Sequence, residues 1–404
     1  MRVLALSLME RTRAHRVRAL VLGSAALTLS LGACADPTAT PSVPAGPQLS
    51  AVKFWDVGSS VAWNQMARDL NPAGSTPAAQ ARLFTYLSVA QYNAIIAAED
   101  AKDGGNHASP AAAAAGASVV VLKSFFPLSG ALIDAKLLAQ RAAPPWPGEQ
   151  KKDFAAGEAI GRAVGAAVVA YAATDGVNLT VPPPNPGGPG NWTGVNPVRA
   201  MYGARTFALE SGDQFRPPPP PAFGSAAFNA ALQEIRTISA GLTGTQLTIA
   251  QFWATRGPQY MNEIASEMIV SHRNSERETA RVLALANMAA FDVLNACFDA
   301  KFAYYLIRPS QADPLINLPI GLPNHPSYPS GHSCVTSAYA TVLANTFPDE
   351  SDRLQGMVVE AGLSRMYGGL HYRFDCEVGQ TLGRHVAEWV MHVTAGGHTA
   401  IPLD

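Results

Sequence analysis

Stretches rich in Ala, Leu and aromatic residues recur at helical spacing along this chain, and no segment of any length alternates apolar with polar residues. That pattern confines the fold to helices packed on helices. Within residues 63–101, Leu83, Leu87, Gln91 and Ile95 share one helix face, with Ala90 and Ala94 alongside. Residues 111–126, 132–142 and 151–173 read the same way, separated by Pro and Gly. Helices are expected again over about 225–240, 245–254 and 276–307, and after Ser330, Ser351 and Asp375.

Between 181 and 221 the character changes. Pro182-Pro183-Pro184, the Gly187-Gly188-Pro189-Gly190 cluster and five consecutive prolines at 217–221 exclude regular helix and central strand. Trp192, Tyr202, Phe207, Phe215 and Arg216 are poor linker residues, so this segment is expected to pack across the bundle. The expected organisation is an all-α bundle with an N-terminal helical part at 51–180, an irregular Pro-rich connector at 181–224 and a C-terminal helical part at 225–404. At 404 residues the chain is long enough for one large helical domain or two smaller ones. A formal net charge of -1 argues against nucleic-acid binding and makes any basic cluster local.

The first 34 residues are set aside from the fold. Arg11, Arg13, Arg16 and Arg18 form a positive region, residues 19–31 a short apolar run, and Leu31-Gly32-Ala33-Cys34 a small-residue cleavage site ending in cysteine. The pattern is similar to a bacterial lipoprotein signal. It implies export, lipidation at Cys34, a flexible tether at 35–50 and a place at the periplasmic side or cell envelope, held to the membrane by the lipid anchor alone. An ordinary secretory signal with an incidental cysteine is the alternative. The apolar run is too short for a permanent span. Cys297, Cys334 and Cys376 give no disulfide framework and no zinc spacing. A Cys334–Cys376 bond is conceivable, but buried free thiols are the expectation.

Three segments near the C-terminus carry the chemistry. Lys301 and Arg308 are seven residues apart on what reads as the end of one helix, which puts them on one face about 10 Å apart before Pro309 stops the helix. Pro329-Ser330-Gly331-His332 opens the apolar run 335–343, so its free backbone N–H groups and the Ser330 hydroxyl form an anion site, with Gly331 allowing close approach. Ser364-Arg365 ends a helix, and His371 and Asp375 lie one helical turn apart, where the carboxylate accepts the Nδ1 proton and leaves Nε2 free. Read singly, these are a solvated basic face, a helix cap and ordinary polar residues. Together, within 75 residues, they supply every group needed to hold a tetrahedral oxyanion such as phosphate or vanadate.

Lys301-x6-Arg308-Pro309, Pro-Ser-Gly-His at 329–332 and Ser364-Arg365-x5-His371-x3-Asp375 resemble the three signature motifs of the type 2 phosphatidic acid phosphatase (PAP2) and vanadium-dependent haloperoxidase superfamily. The resemblance implies a helical bundle. It implies that Lys301, Arg308, Ser330, Gly331 and Arg365 bind the equatorial oxygens. His371 becomes the vanadate ligand or phosphate nucleophile, His332 the acid-base partner, and Asp375 the group that orients His371.

The three motifs do not separate the two branches, because vanadate resembles the phosphoryl-transfer transition state. The run His371-Tyr372-Arg373-Phe374-Asp375, the length of the chain, Gln214-Phe215-Arg216-Pro217 and Phe252-Trp253 are similar to haloperoxidases. His325 falls at a position linked to halide preference. The haloperoxidase resemblance implies vanadate as cofactor and hydrogen peroxide and halide, or an organic molecule, as substrates, with Lys301 polarising the peroxide and His332 managing protons. The alternative is a phosphatase that hydrolyses phosphomonoesters through a phosphohistidine at His371. A non-catalytic oxyanion-binding lipoprotein is a third reading, and a homo-oligomer is compatible with all three.

Overall fold

The computed structural model describes residues 58–103, 106–145, 148–397 and 401–403. The signal segment 1–34, Cys34 and the tether 35–50 lie outside the described residues. The fold is all-α. Its helices are α1 (Ser59–Leu70), α2 (Pro77–Asp100), α3 (Pro110–Phe125), α4 (Gly130–Ala142), α5 (Phe154–Ala172), α6 (Ala226–Ala240), α7 (Gly244–Ala254), α8 (Pro258–His272), α9 (Glu276–Tyr304), α10 (Pro309–Ala312), α11 (Gly331–Thr346), α12 (Ser351–Tyr367) and α13 (Arg373–Val393). Two- and three-residue strands at Lys102–Asp103, Asn106–Ala108 and Lys152–Asp153 add one small sheet.

The stretch 63–101 spans two helices, α1 and α2. Pro72 and Gly74, at φ 83°, break it, and α2 restarts with Pro77 in its first turn and the Thr76 hydroxyl accepting the Ala79 N–H at 3.2 Å. Gln91, which shares a face with Leu87 and Ile95, is fully buried, accepting from Asn64 at 2.9 Å and donating to Ser118 at 2.9 Å. Helix α8 has no counterpart in the sequence reading; it buries Met261, Ile264, Ala265, Met268 and Ile269 amid polar neighbours that blur its periodicity.

The central element is α9. A capping box at Ser275 and Glu278 starts it, and apolar residues on nearly every side fit it for burial, with α2, α11 and α13 packed against it. Helices α3 and α5 pack on each other and on α2. Glycines let helix backbones meet, Gly161 and Gly383 among them. A Cβ on Gly161 of α5 would collide with the Ala113 carbonyl of α3, and one on Gly383 of α13 with the Cys334 carbonyl of α11.

The sequence places α9 through residue 307, but it ends at Tyr304. Tyr305 turns left-handed, at φ 47°, and its N–H closes on the Lys301 carbonyl at 2.9 Å. Leu306 then forms a bridge with Asn191, and Arg308 is extended at the start of α10. Lys301 and Arg308 therefore do not share a helix face; a turn of chain, not a helical repeat, brings them together.

Residues 181–224 contain no helix or strand, yet they are fixed to α9. The buried Asp292 carboxylate accepts the N–H groups of Phe207 (2.9 Å), Ala208 (2.8 Å) and Leu209 (3.1 Å). One turn on, Asn295 donates to the Met201 and Ala204 carbonyls at 2.9 and 2.6 Å, and a further turn on, Asp299 receives Arg216 at 2.6 and 3.0 Å. The hydroxyls of Tyr304 and Tyr328 hold the carbonyls of Pro217 and Pro218 at 2.6 and 2.7 Å. Much of the backbone without regular structure is thus satisfied by one polar stripe on the central helix and by tyrosine hydroxyls.

Candidate functional site

The three motif segments meet where the end of α9, the loop before α11, and the α12–α13 link converge. Asp375, in the first turn of α13, is the pivot. Its Oδ2 accepts from Ser327 Oγ (2.5 Å), His371 Nδ1 (2.9 Å) and the Tyr372 N–H (3.2 Å), and its main-chain carbonyl accepts the Ser330 N–H at 2.9 Å. One residue therefore ties the loop, the histidine and the start of α11. With Nδ1–H held by a carboxylate, His371 is the tautomer whose Nε2 carries the lone pair, and that nitrogen accepts from Arg308 NH1 at 3.1 Å.

Arg308 and Lys301 are both fully buried, and both are more committed to the protein than the resemblance implied. Arg308 also donates to the carbonyls of His325 (3.0 Å), Leu370 (2.9 Å) and Pro326 (3.4 Å), and to His325 Nδ1 (3.0 Å). Lys301 Nζ donates to the carbonyls of Pro326 (2.9 Å), Ser327 (2.7 Å) and Pro329 (2.5 Å). Three acceptors match the three N–H bonds of an ammonium. Here the two side chains fold the 325–329 loop around themselves and raise the local potential, rather than pointing donors into open space.

The outward donors are others. Arg365 spends Nε on Ser364 Oγ (2.9 Å) and one NH2 hydrogen on the Ala250 carbonyl (3.1 Å), and it lines a cavity. Gly331 and His332 open α11, so their N–H groups have no helical partner. A Cβ built on Gly331 meets nothing within 4 Å, so its open side is a cradle that a side chain would fill. Ser330 Oγ instead caps Ser333, at 3.4 Å to the N–H and 3.1 Å to the hydroxyl. His332, half-buried, holds Nε2 at 3.0 Å from the Trp253 carbonyl, which leaves its Nδ1 as the acceptor in the neutral ring. The carbonyls of Ala250 and Trp253 belong to the last turn of α7, whose negative end faces Arg365 and His332.

Burial sets the charge states. It lowers His325, His332 and His371 well below the usual imidazole range, helped by neighbouring Lys301, Arg308 and Arg365, so all three rings are neutral. Burial brings Arg308 and Arg365 down to about 10 and Lys301 to about 8, and pushes Asp375 up to about 6 against the pull of Ser327 and the cations. At neutral pH three cations face one carboxylate. A pocket with that surplus attracts an anion. Among the described residues no group of three His, Cys, Asp or Glu could hold a metal cation, so the donor set suits an oxyanion bonded through one imidazole.

His325 sits beside this cage with its ring edge-on to Phe298, centroids 5.1 Å apart. Cys297, Cys334 and Cys376 are buried free thiols, so no Cys334–Cys376 bond forms. Ser327 and the α7 carbonyls escaped the sequence reading; a lone serine and a main-chain oxygen carry no spacing signal.

An all-α protein built around a buried oxyanion cage is thereby defined. Residues 280–397 match the family model of the PAP2 superfamily, and the all-α fold is of the PAP2/haloperoxidase type. Similar solved structures include the first bacterial vanadium-dependent iodoperoxidase, 25% identical, with a TM-score of 0.66 over 83% of this chain and 95% of that one. The apo form of a bacterial vanadium-dependent chloroperoxidase is 14% identical, with a TM-score of 0.64 over 81% of this chain and 96% of that one. A holo bacterial chloroperoxidase structure is also 14% identical, with a TM-score of 0.62 over 88% and 97%. At 14% these two speak to the fold alone. No curated protein matches the chain.

Proposed function

We propose that this protein is a vanadium-dependent haloperoxidase that oxidises halide with hydrogen peroxide. The observation that carries the choice of branch is the extent of the likeness to the iodoperoxidase. It runs over 83% of the chain, well beyond the 280–397 segment that matches the superfamily model.

The residues present fit vanadate. His371 Nε2 would supply the direct bond, while Arg365 and the Gly331 and His332 N–H groups would supply hydrogen bonds. Lys301 and Arg308 would supply charge, and Arg308 NH1, which donates to His371 Nε2, stands beside the nitrogen that would hold the oxyanion. When bound, vanadate is a Lewis acid that activates peroxide toward halide without changing valence. Asp375 keeps the Nε2 lone pair available, and neutral His332 takes up a proton at Nδ1 while Nε2–H stays on the Trp253 carbonyl. The N-terminal pattern supports export and lipidation at Cys34, which palmitate labelling lost in Cys34→Ala tests.

The function is tested by assaying the protein with and without vanadate for peroxide-dependent oxidation of iodide and bromide, and for p-nitrophenyl phosphate hydrolysis. Halide oxidation that appears only with vanadate supports the proposal. Phosphate release from the vanadate-free protein, blocked by vanadate and without halide oxidation, makes it a phosphatase with His371 as nucleophile.

A further inference from the structure

Helix α4 and the turn before it hold leucine out to solvent. Leu128 is fully exposed, and Leu132 and Leu138 are 59% and 60% exposed. With the exposed Ala131, Ala135 and Ala142 they recur every three or four residues and form one stripe, while Ile133, Leu137 and Gln140 are buried on the opposite side. Helix α5 carries two charged residues in its length, Glu158 and Arg162, yet it buries only one edge, the one that bears Gly157, Gly161, Gly165 and Val168. Ala155, Ala159, Ala163, Ala166 and Ala170 face outward. Both helices pack on α3. Arg141, at the end of α4, pairs with Glu158 of α5 and lies over the Phe154 ring, 5.4 Å from its centroid, so the two outer faces adjoin. A contiguous exposed apolar face of this kind marks an interaction surface.

Charge narrows the partner. Residues 123–162 include six basic and four acidic side chains, whereas the whole chain has a net charge of -1. All four carboxylates are occupied: Asp134 by Lys123 at 2.6 Å, Glu149 by Ser109 and Lys152, Asp153 by the Ala156 N–H at 3.0 Å, and Glu158 by Arg141 and Arg162. What remains for a partner is apolar and basic, the makeup of a helix face that lies in the boundary of an anionic bilayer. A second copy of the chain fits less well, because a two-fold contact would set this basic margin against itself.

The point where the chain enters the fold agrees. Ser59, at the start of α1, donates its hydroxyl to the Ala111 carbonyl at 2.8 Å and accepts from Gln140 in the last turn of α4 at 3.0 Å. Residues 35–57 separate Cys34 from this entry, a reach of at most about 80 Å. An anchor at Cys34 therefore holds α4 near a bilayer at an effective concentration that lets a weak surface contact be occupied.

We propose that the outer face of α4 and α5 lies on the surface of an anionic phospholipid bilayer, a second contact that orients the bundle on the membrane beside its acyl anchor. The proposal rests on the reading of Cys34 as lipidated.

The test uses Leu132→p-benzoylphenylalanine in the full chain, bound to vesicles of phosphatidylglycerol and phosphatidylcholine, with mass spectrometry to identify what the probe captures on irradiation. The same probe at Leu315, 66% exposed and outside these two helices, is the control. Phospholipid capture at 132 should exceed that at 315 by about three-fold or more, and should fall by about three-fold in Leu128→Ser/Leu138→Ser and when phosphatidylglycerol is left out. Both leucines are exposed, so the unfolding curve of that variant should match wild type. Equal lipid capture at the two positions, or capture at 132 of a second copy or of residues 1–57 of the same chain, overturns the proposal. The mass of the Cys34 peptide from the same sample tests the anchor separately. Acylated Cys34 with no preference for 132 leaves the anchor and overturns the docking face, whereas lipid capture at 132 with bare Cys34 keeps the face and overturns the anchor reading.

Discussion

At the scale of single residues, the account turns on Asp375 and what it holds. Asp375→Asn replaces the anionic acceptor that fixes the His371 tautomer with a neutral amide, and vanadate affinity should fall by roughly 10–100-fold, read by ⁵¹V NMR titration. The same carboxyl gives opposite pH trends for stability and for binding. Its folded pKa is raised to about 6 from an ordinary 3.8. Between about 4 and 6 the folded state therefore keeps a proton that the unfolded chain gives up, and this group's contribution to stability is lost as pH rises through about 6. Vanadate affinity should instead decline as pH falls below about 6, because a protonated Asp375 no longer serves as the anionic acceptor. In Ser327→Ala, loss of the hydroxyl that favours the charged form should move this acid limb to higher pH. An unmoved limb would mean that a different group titrates. That the three motif segments converge was legible in the sequence, because the types and order of Lys301, Arg308, Ser330, Gly331, His332, Arg365, His371 and Asp375 carry the chemistry. Ser327, and the carbonyls that absorb Lys301 and Arg308, were not legible, because loop closure alone brings them into place.

At the scale of elements, helix contacts that depend on glycine make a paired prediction. A methyl at Gly161 drives α5 into α3, and one at Gly383 drives α13 into α11. Each Gly→Ala change should cost about 1–3 kcal/mol in urea unfolding. The Gly383 variant should also weaken vanadate binding, because α11 carries Gly331 and α13 carries Asp375, whereas Gly161→Ala should leave binding unchanged. Helices α3 and α5 were each visible from apolar periodicity, but their pairing was not. The early end of α9 was not, because it depends on Tyr305 taking a left-handed turn and on Leu306 pairing with Asn191 across more than a hundred residues. The true geometry of Lys301 and Arg308 was hidden with it.

Over the whole molecule, the irregular connector and the bundle form one structure because α9 latches the connector through Asp292, Asn295 and Asp299. Asp292→Ala leaves three backbone N–H groups without their acceptor and should cost about 3 kcal/mol. Limited proteolysis should then cut first within 181–224; a pattern identical to wild type would mean that Asp292 is not the latch. The composition of that segment showed that it could not be regular. Only the fold shows that it supplies Val198 and Ala200 to the wall of the cavity beside the cage.

The central claim is that this cage holds vanadate through His371. The most direct measurement is ⁵¹V NMR titration of wild type and of His371→Ala, with thermal unfolding confirming that the variant is folded. The account predicts a saturable, one-to-one bound signal in the wild type that is lost in the folded variant. Equal binding by both, or no bound signal in the wild type, would contradict it.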